Sequence, residues 1–276
     1  MKRERTDPYA AVPAYQVEEL EAFRKLEYAS VGPWRYVVCG DGAPLVMLPG
    51  GFMHADMFFY LARHLRGVRT MIPDSYVKQG VVDLAEASAH VEAMLGREGF
   101  DAADFIGVSA GGGLVQYLLA TSAQLVSRAI LSHTGVLEPS RDKEIRRSLL
   151  GVRLLPGGLI RRMMRRRTMQ DYPESEWAAF ARAFVFEASL GFDKRTLIAW
   201  LSGSVDSLAG FTREAWPGRV LILTSRDDVL SYPKLEALRS CYPNADVHVF
   251  DAGSHHTLFL FPAEYARIIQ AWLGTA

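Results

Sequence analysis

The stretch Asp104-Phe-Ile-Gly-Val-Ser-Ala-Gly-Gly-Gly-Leu-Val-Gln-Tyr-Leu-Leu-Ala120 decides the fold. Ala103 to Val108 is a short run of small and apolar residues with the character of a strand, and Leu114 to Ala120 has helical spacing. Between them, Gly107-Val-Ser109-Ala-Gly111 fits G-x-S-x-G, a sharp strand-turn-helix with serine at its tip. So tight a turn strains the serine backbone, and the positions two residues either side must be nearly free of side chain for strand and helix to pack. Gly107 and Gly111 meet that need. The first N–H groups of the helix lack intrahelical acceptors and face the place where negative charge would develop on a substrate oxygen. A phosphate cradle fails on pattern: no Gly-Lys-Ser/Thr follows Gly107, and neither glycine opens a full G-x-G-x-x-G.

Upstream, Leu48-Pro-Gly-Gly-Phe52 follows directly on a strand, and backbone so bare of side chains can approach a ligand closely. Gly51 or Phe52 is placed to supply a second N–H donor beside that of Ala110. Before it, Trp34 to Cys39, the turn Gly40-Asp-Gly42 and Pro44 to Leu48 read as an antiparallel hairpin leading into the sheet. Residues 1–30 read as an N-terminal extension, with a helix from Glu18 to Tyr28 that docks Leu20, Phe23 and Leu26.

Downstream of the hairpin, helix and strand alternate: Ala55 to Leu65 helical, Arg69 to Ile72 a strand, Leu84 to Leu95 helical, then the Ser109 unit and a strand from Arg128 to Leu131. This predicts an α/β fold with a mostly parallel central sheet covered on both faces. In such sheets ligands sit beyond the carboxyl ends of the strands, where Ser109 lies. The core is expected over residues 31–134 and 214–276.

Residues 135–213 break the pattern and read as an inserted helical cap, with helices at Arg141 to Leu150, Leu159 to Met169, Ser175 to Leu190 and Lys194 to Leu201. Its large side chains, Met163, Met164, Trp177, Phe180, Phe184, Phe186, Phe192 and Trp200, are expected mostly to form the cap's own core, with some lining a pocket. Eight arginines (146, 147, 153, 161, 162, 165, 166 and 167) occur with no acidic residue between Ile145 and Gln170. They read as a solvated helix face, or as a contact for an anionic substrate, carrier or surface.

Composition narrows the classes. Thirty-one basic and 31 acidic residues cancel, so no overall field points to nucleic acid. Cys39 and Cys241 are too few for a disulfide framework. The opening Met-Lys-Arg-Glu-Arg-Thr-Asp-Pro has no apolar stretch after it, and no run approaches the length of a membrane span. A cytoplasmic protein is expected.

After the cap, Arg219 to Thr224 is a strand followed by Ser225-Arg-Asp-Asp-Val229. Asp246 to Phe250 is another, followed by Asp251-Ala-Gly-Ser-His-His-Thr257 and a closing helix from Pro262 to Leu273. A serine hydroxyl needs a base within hydrogen-bond reach, and the base needs an orienting carboxylate. The chain offers them in the order Ser109, then Asp227 or Asp228, then His255 or His256. His54, Asp56, Asp74, His133 and the His255-His256 pair are also metal-ligand types, yet no H-x-H or H-E-x-x-H spacing occurs, and no cofactor is expected.

Over about residues 34–273 the sequence resembles the α/β-hydrolase fold superfamily of serine hydrolase type, through Leu48-Pro-Gly-Gly51, Gly107-Val-Ser-Ala-Gly111, the Asp227-Asp228 loop and Gly253-Ser-His255. The resemblance implies a Ser-His-Asp triad. Its histidine commonly stands seven residues before the proline that opens the last helix, which selects His255 ahead of Pro262, and its acid stands three residues after the strand, which selects Asp228. A minority of the family carries the acid one strand earlier, which would select Glu138. The implied chemistry is hydrolysis of a small-molecule ester or thioester, with Gly51 and Ala110 as oxyanion donors. Carbon–carbon bond hydrolysis, lyase chemistry and cofactor-free peroxidation are hosted by the same fold. Ser225 stands where glycine is usual, and Pro49 where many members have histidine. Leu48-Pro with Ala55-Asp-Met-Phe-Phe59, and Cys241-Tyr-Pro-Asn-Ala245, are similar to the maspardin-like branch, which includes members thought to serve as binding scaffolds for a small molecule or partner protein.

Overall fold

The computed structural model describes residues 7–51, 53–75, 79, 81, 83–139, 142–169, 172–191, 193–208, 211–212 and 216–274. Phe52, Arg141 and Phe192 lie outside the described residues, as do the side chains of Met164, Arg165 and Arg167. In chain order the elements are α1 (Ala14–Arg24), β1 (Tyr28–Val31), β2 (Trp34–Cys39), β3 (Ala43–Leu48), α2 (Phe59–His64), β4 (Val68–Pro73), α3 (Leu84–Glu98), β5 (Ala103–Val108), α4 (Ala110–Thr121) and β6 (Val126–Ser132). They continue with α5 (Asp142–Leu154), α6 (Gly157–Met169), α7 (Ala178–Leu190), α8 (Lys194–Leu208), β7 (Arg219–Ser225), α9 (Leu235–Cys241), β8 (Asp246–Phe250), α10 (Thr257–Leu260) and α11 (Pro262–Leu273).

The strands form one eight-stranded sheet in the order β1-β2-β4-β3-β5-β6-β7-β8. β3 to β8 run parallel, while β2 is antiparallel to both β1 and β4. Both faces are buried, because successive strand residues point to opposite sides. Ile106, Ile130 and Leu221 join the core beneath α1, α2 and α11, while their neighbours Phe105, Ala129 and Ile222 join the core beneath α3, α4 and α9. At the amino end of the sheet the Arg128 guanidinium grips Asp104 through two nitrogens and donates a third bond to the Leu273 carbonyl at 2.7 Å.

Three expectations are corrected. β2 and β3 do not pair: β4 lies between them, so Gly40-Asp-Gly42 steps past the start of β4, where the Ala43 N–H donates to the Gly67 carbonyl at 3.0 Å. The hairpin is instead β1 with β2, which draws Tyr28 to Ser30 out of the expected extension and into the sheet. The first helix accordingly ends at Arg24, although Leu20 and Phe23 are buried as expected. The third correction concerns the large residues between β6 and β7. Trp177, Phe180 and Phe184 of the α7 region do not form a separate core but pack with Tyr9, Phe59 and Phe259 in the main one. A small separate cluster does exist, of Ile160, Leu197 and Leu201 on α6 and α8.

The turn from β5 into α4 is the tightest packing point. A Cβ at position 111 would stand 2.2 Å from the Leu48 carbonyl oxygen, and one at position 107 would stand 2.4 Å from the Gly111 oxygen. Both obstacles are backbone and have no rotamer to change. Gly111→Ala is therefore expected to cost about 3 kcal/mol or more, lowering the thermal midpoint by about 5–10 °C, as calorimetry would measure.

Candidate active site

Five strands deliver the site, each at its carboxyl end. Ser109 follows β5 in a conformation that side chains rarely adopt, φ 53° and ψ −113°, and its N–H donates to the Ser132 carbonyl at 2.8 Å. Strain of this kind persists only where surrounding structure over-determines it. Here the determinants are the β6 carbonyl, the start of α4, and the 48–51 loop, whose Gly50 lies against Val108 and the Ser109 Cβ. Ala110 is the first residue of α4, so its N–H has no intrahelical acceptor. In the loop, the Gly50 N–H is directed to the Met57 sulfur at 3.4 Å, and Gly51 follows with φ 47°.

Asp228 and His255 meet behind β7 and β8. The Asp228 carboxylate is wholly buried and accepts from His255 Nδ1 at 2.8 Å, from the Leu230 N–H at 2.8 Å, and from the N–H and hydroxyl of Ser231. Burial alone would raise its carboxyl. The hydrogen bond and positive charge of His255, with the Ser231 and Leu230 donors, overcome that and hold it well below the usual carboxylate range. An ionised Asp228 only accepts, so Nδ1 carries the imidazole proton and Nε2 is the acceptor side of the neutral ring.

Adjacent residues point apart, and the other candidates take different roles. Asp227 accepts from the N–H groups of Gly253 and Ser254, at 3.2 and 2.8 Å, and so fixes the loop that carries His255. Ser225, where glycine was the expected residue, donates its hydroxyl to the Ser254 carbonyl at 2.6 Å. His256 turns toward the Tyr172 ring, 5.4 Å between centroids, and burial pushes its imidazole down to about 3. Glu138 is exposed. His54 pairs with Asp74 at 3.3 Å, and Asp56 pairs with Arg24 at 2.8 Å, so the residues of metal-ligand type are dispersed.

The sequence reading missed the place of His133. It follows β6 with φ 47°, and its ring stands edge-on to His255 with 5.7 Å between centroids. Ser132 Oγ lies 2.8 Å from Nδ1, Thr257 Oγ1 lies 3.1 Å from Nε2, and the Tyr265 hydroxyl donates to Ser132 at 2.6 Å. Burial, then repulsion from His255, pushes His133 down to about 3, so it is a neutral imidazole. The available signal was its position, one residue past a strand on the edge that carries Ser109.

Ser109, His133 and His255 share the wall of a cavity of about 280 Å³. Thr134, Ser148, Ser204 and Lys234 add polar groups, while Leu84, Leu137, Ile145, Trp200, Leu201 and Leu208 supply apolar surface. A nucleophile type, a carboxylate-oriented imidazole and the helix-opening N–H of Ala110 around one mixed cavity are parts of the kind acyl transfer needs.

A family model described as "Alpha/beta hydrolase family" matches residues 45–268. No curated protein matches the sequence. Among solved structures, an enol-lactonase from Burkholderia xenovorans LB400 is similar over 90% of this chain and 100% of its own, with a TM-score of 0.73 and 16% identity. An esterase from Exiguobacterium antarcticum matches over 90% of this chain and 99% of its own, with a TM-score of 0.68 and 16% identity. A bromoperoxidase from Bacillus anthracis matches over 91% and 98%, with a TM-score of 0.66 and 13% identity. At such identities the likeness is one of fold.

The depressed histidines give stability a sign with pH. Unfolded imidazoles take a proton below about 6.5, whereas His133 and His256 stay neutral in the fold down to about 3. Their contribution is complete above the first value and is lost as pH falls toward the second, at up to about 1.4 kcal/mol per pH unit for each. Asp228 adds a loss only below about 3.9, where an unfolded carboxyl protonates. The thermal midpoint is expected to fall steadily on acidification below neutrality. In His133→Asn the slope, measured by calorimetry across the same range, is expected to be shallower.

Proposed function

We propose that this chain, which belongs to the alpha/beta hydrolase family, cleaves a carboxylic ester or thioester of a small molecule through an acyl-enzyme on Ser109. The observation that carries the proposal is the 2.8 Å bond from His255 to a buried, ionised Asp228, made by an imidazole that shares a cavity wall with Ser109.

In the first half-reaction Ser109 Oγ attacks the substrate carbonyl carbon while His255 Nε2 takes the hydroxyl proton. Asp228 holds the ring in the tautomer that leaves Nε2 open and stabilises the imidazolium that forms. Negative charge gathers on the former carbonyl oxygen and is met by the N–H groups of Ala110 and Gly51, donors held by the backbone before the reaction begins. The tetrahedral adduct collapses, His255 returns the proton to the departing alkoxide or thiolate, and the acyl group stays on Ser109. Water, deprotonated by His255, then attacks the ester, and the carboxylic acid leaves as Ser109 is regenerated.

The substrate's size follows from the cavity. About 280 Å³ is near the lower end of ligand pockets and favours a compact acyl group. Leu137, Ile145, Trp200, Leu201 and Leu208 offer it apolar contact. The helices α5, α6 and α8 act as a cap, with α5 and α8 closing the cavity over the sheet edge.

Ser109→Ala is expected to abolish both turnover of p-nitrophenyl esters and labelling by a fluorophosphonate, with an unchanged circular dichroism spectrum. Asp228→Asn is expected to lower kcat on the order of 10³–10⁴-fold, since the wrong tautomer is then favoured. Wild-type turnover by Ser109→Ala would reject the nucleophile, and ligand binding by the wild-type protein without labelling or turnover would favour a binding scaffold.

A further inference from the structure

The elbow between α5 and α6 has a composition that neither the core nor the cavity explains. Leu150 and Leu154 on α5, and Leu159 and Met163 on α6, are exposed by 58%, 74%, 42% and 54%. Each pair is spaced i, i+4, so each forms a stripe along one side of its helix. The opposite side of α5 is already occupied: Ile145, Leu149 and Val152 pack on the small cluster with α8. The exposed leucines are therefore surplus to packing.

Arginine lies beside both stripes. Arg147 and Arg153 stand three residues from Leu150, Arg162 stands three from Leu159, and Arg166 three from Met163, all exposed. The side chains of Arg153, Arg162 and Arg166 have no carboxylate partner among the described residues. The elbow itself is held in place, since Lys194 Nζ on α8 donates to the carbonyls of Arg153 and Leu155 at 2.9 and 2.7 Å. The chain as a whole is neutral, so this cationic patch is local.

We infer that the α5–α6 elbow docks the protein on an anionic phospholipid surface. Short helices with exposed leucine and methionine beside arginine seat the apolar groups at the acyl boundary, while the guanidinium groups reach lipid phosphates on their aliphatic stems. The charge selects this occupant over a second copy of the chain, whose like patch would repel it. Apolar stripes flanked by arginine on two successive helices have the composition of interfacial helices, which selects a lipid surface over an acidic protein partner. Docking here leaves the other side of α5, where Ile145 and Ser148 line the cavity, facing the site.

The test is co-sedimentation of the full chain with vesicles of phosphatidylcholine alone, or of phosphatidylcholine containing a third phosphatidylglycerol. Binding is expected only to the anionic vesicles, and is expected to fall when salt is raised from about 0.1 M to about 1 M, which shortens the screening length from about 10 Å to about 3 Å. Combined Arg153→Gln, Arg162→Gln and Arg166→Gln substitution is expected to weaken partition on the order of 100-fold. Leu150→Ser with Leu154→Ser is expected to weaken it about tenfold or more. Both variants should keep wild-type turnover of a soluble short-chain ester and an unchanged circular dichroism spectrum. Failure of the wild-type protein to bind anionic vesicles, equal binding to both vesicle types, or capture of an acidic protein without vesicle binding would overturn the inference.

Discussion

The carboxyl edge of the sheet depends on how closely two pieces of backbone approach at its centre. The turn through Ser109 leaves no room for a Cβ at Gly111, because the Leu48 carbonyl stands in that space. This contact fixes the start of α4 against the loop after β3. The left-handed Ser109 backbone is a local cost of about 1–3 kcal/mol. It is offset by the paired strands on either side and by the Ser132 carbonyl that accepts its N–H.

Around this point burial and hydrogen bonds fix the charge of the groups that flank His255. Asp228 is ionised although fully buried, because four donors surround it. Asp227, one residue earlier, leaves that pocket and secures the loop of His255 instead. His133 stands 5.7 Å from His255. Were both rings charged, their repulsion at an effective dielectric near 20 would be about 3 kcal/mol. Burial removes that conflict by keeping His133 neutral, while the hydroxyls of Ser132 and Thr257 satisfy both of its nitrogens. The His255 ring thus lies between a carboxylate and an uncharged ring edge.

Much of this was legible in the sequence because the signals were local. G-x-S-x-G implies its own turn, strand and helix, and the alternating apolar runs of β5, β6, β7 and β8 imply a parallel sheet whose loops open together. What local pattern does not encode is pairing at a distance. Gly40-Asp-Gly42 has the chemistry of a hairpin turn, yet β4, some thirty residues on, takes the place beside β3 and displaces β2 outward. Tyr28 was read as the end of the preceding helix because it continues the apolar spacing of that helix. β1 is an edge strand of four residues, too short for alternation to register. His133 was visible only as an isolated histidine, since its neighbours Thr257 and Tyr265 are more than a hundred residues away.

The division of apolar side chains between β6 and β7 also decides which part of the site can yield. Trp177, Phe180 and Phe184 anchor α7 in the main core, where moving them would open contacts with Tyr9, Phe59 and Phe259. By contrast α5, α6 and α8 meet in a small cluster whose buried residues, among those described, are Ile160, Leu197 and Leu201. These helices are tied to the body by further contacts, among them Leu208 of α8 in the core beneath α3 and α4 and the Leu84 N–H donated to the Ser207 hydroxyl. They carry Ile145, Trp200 and Leu201 of the cavity wall. The sheet edge is over-determined and this wall is not, so on the function proposed above an acyl group that fits the cavity poorly would be met by movement of α5 and α8 and not of the loops that carry Ser109, Asp228 and His255.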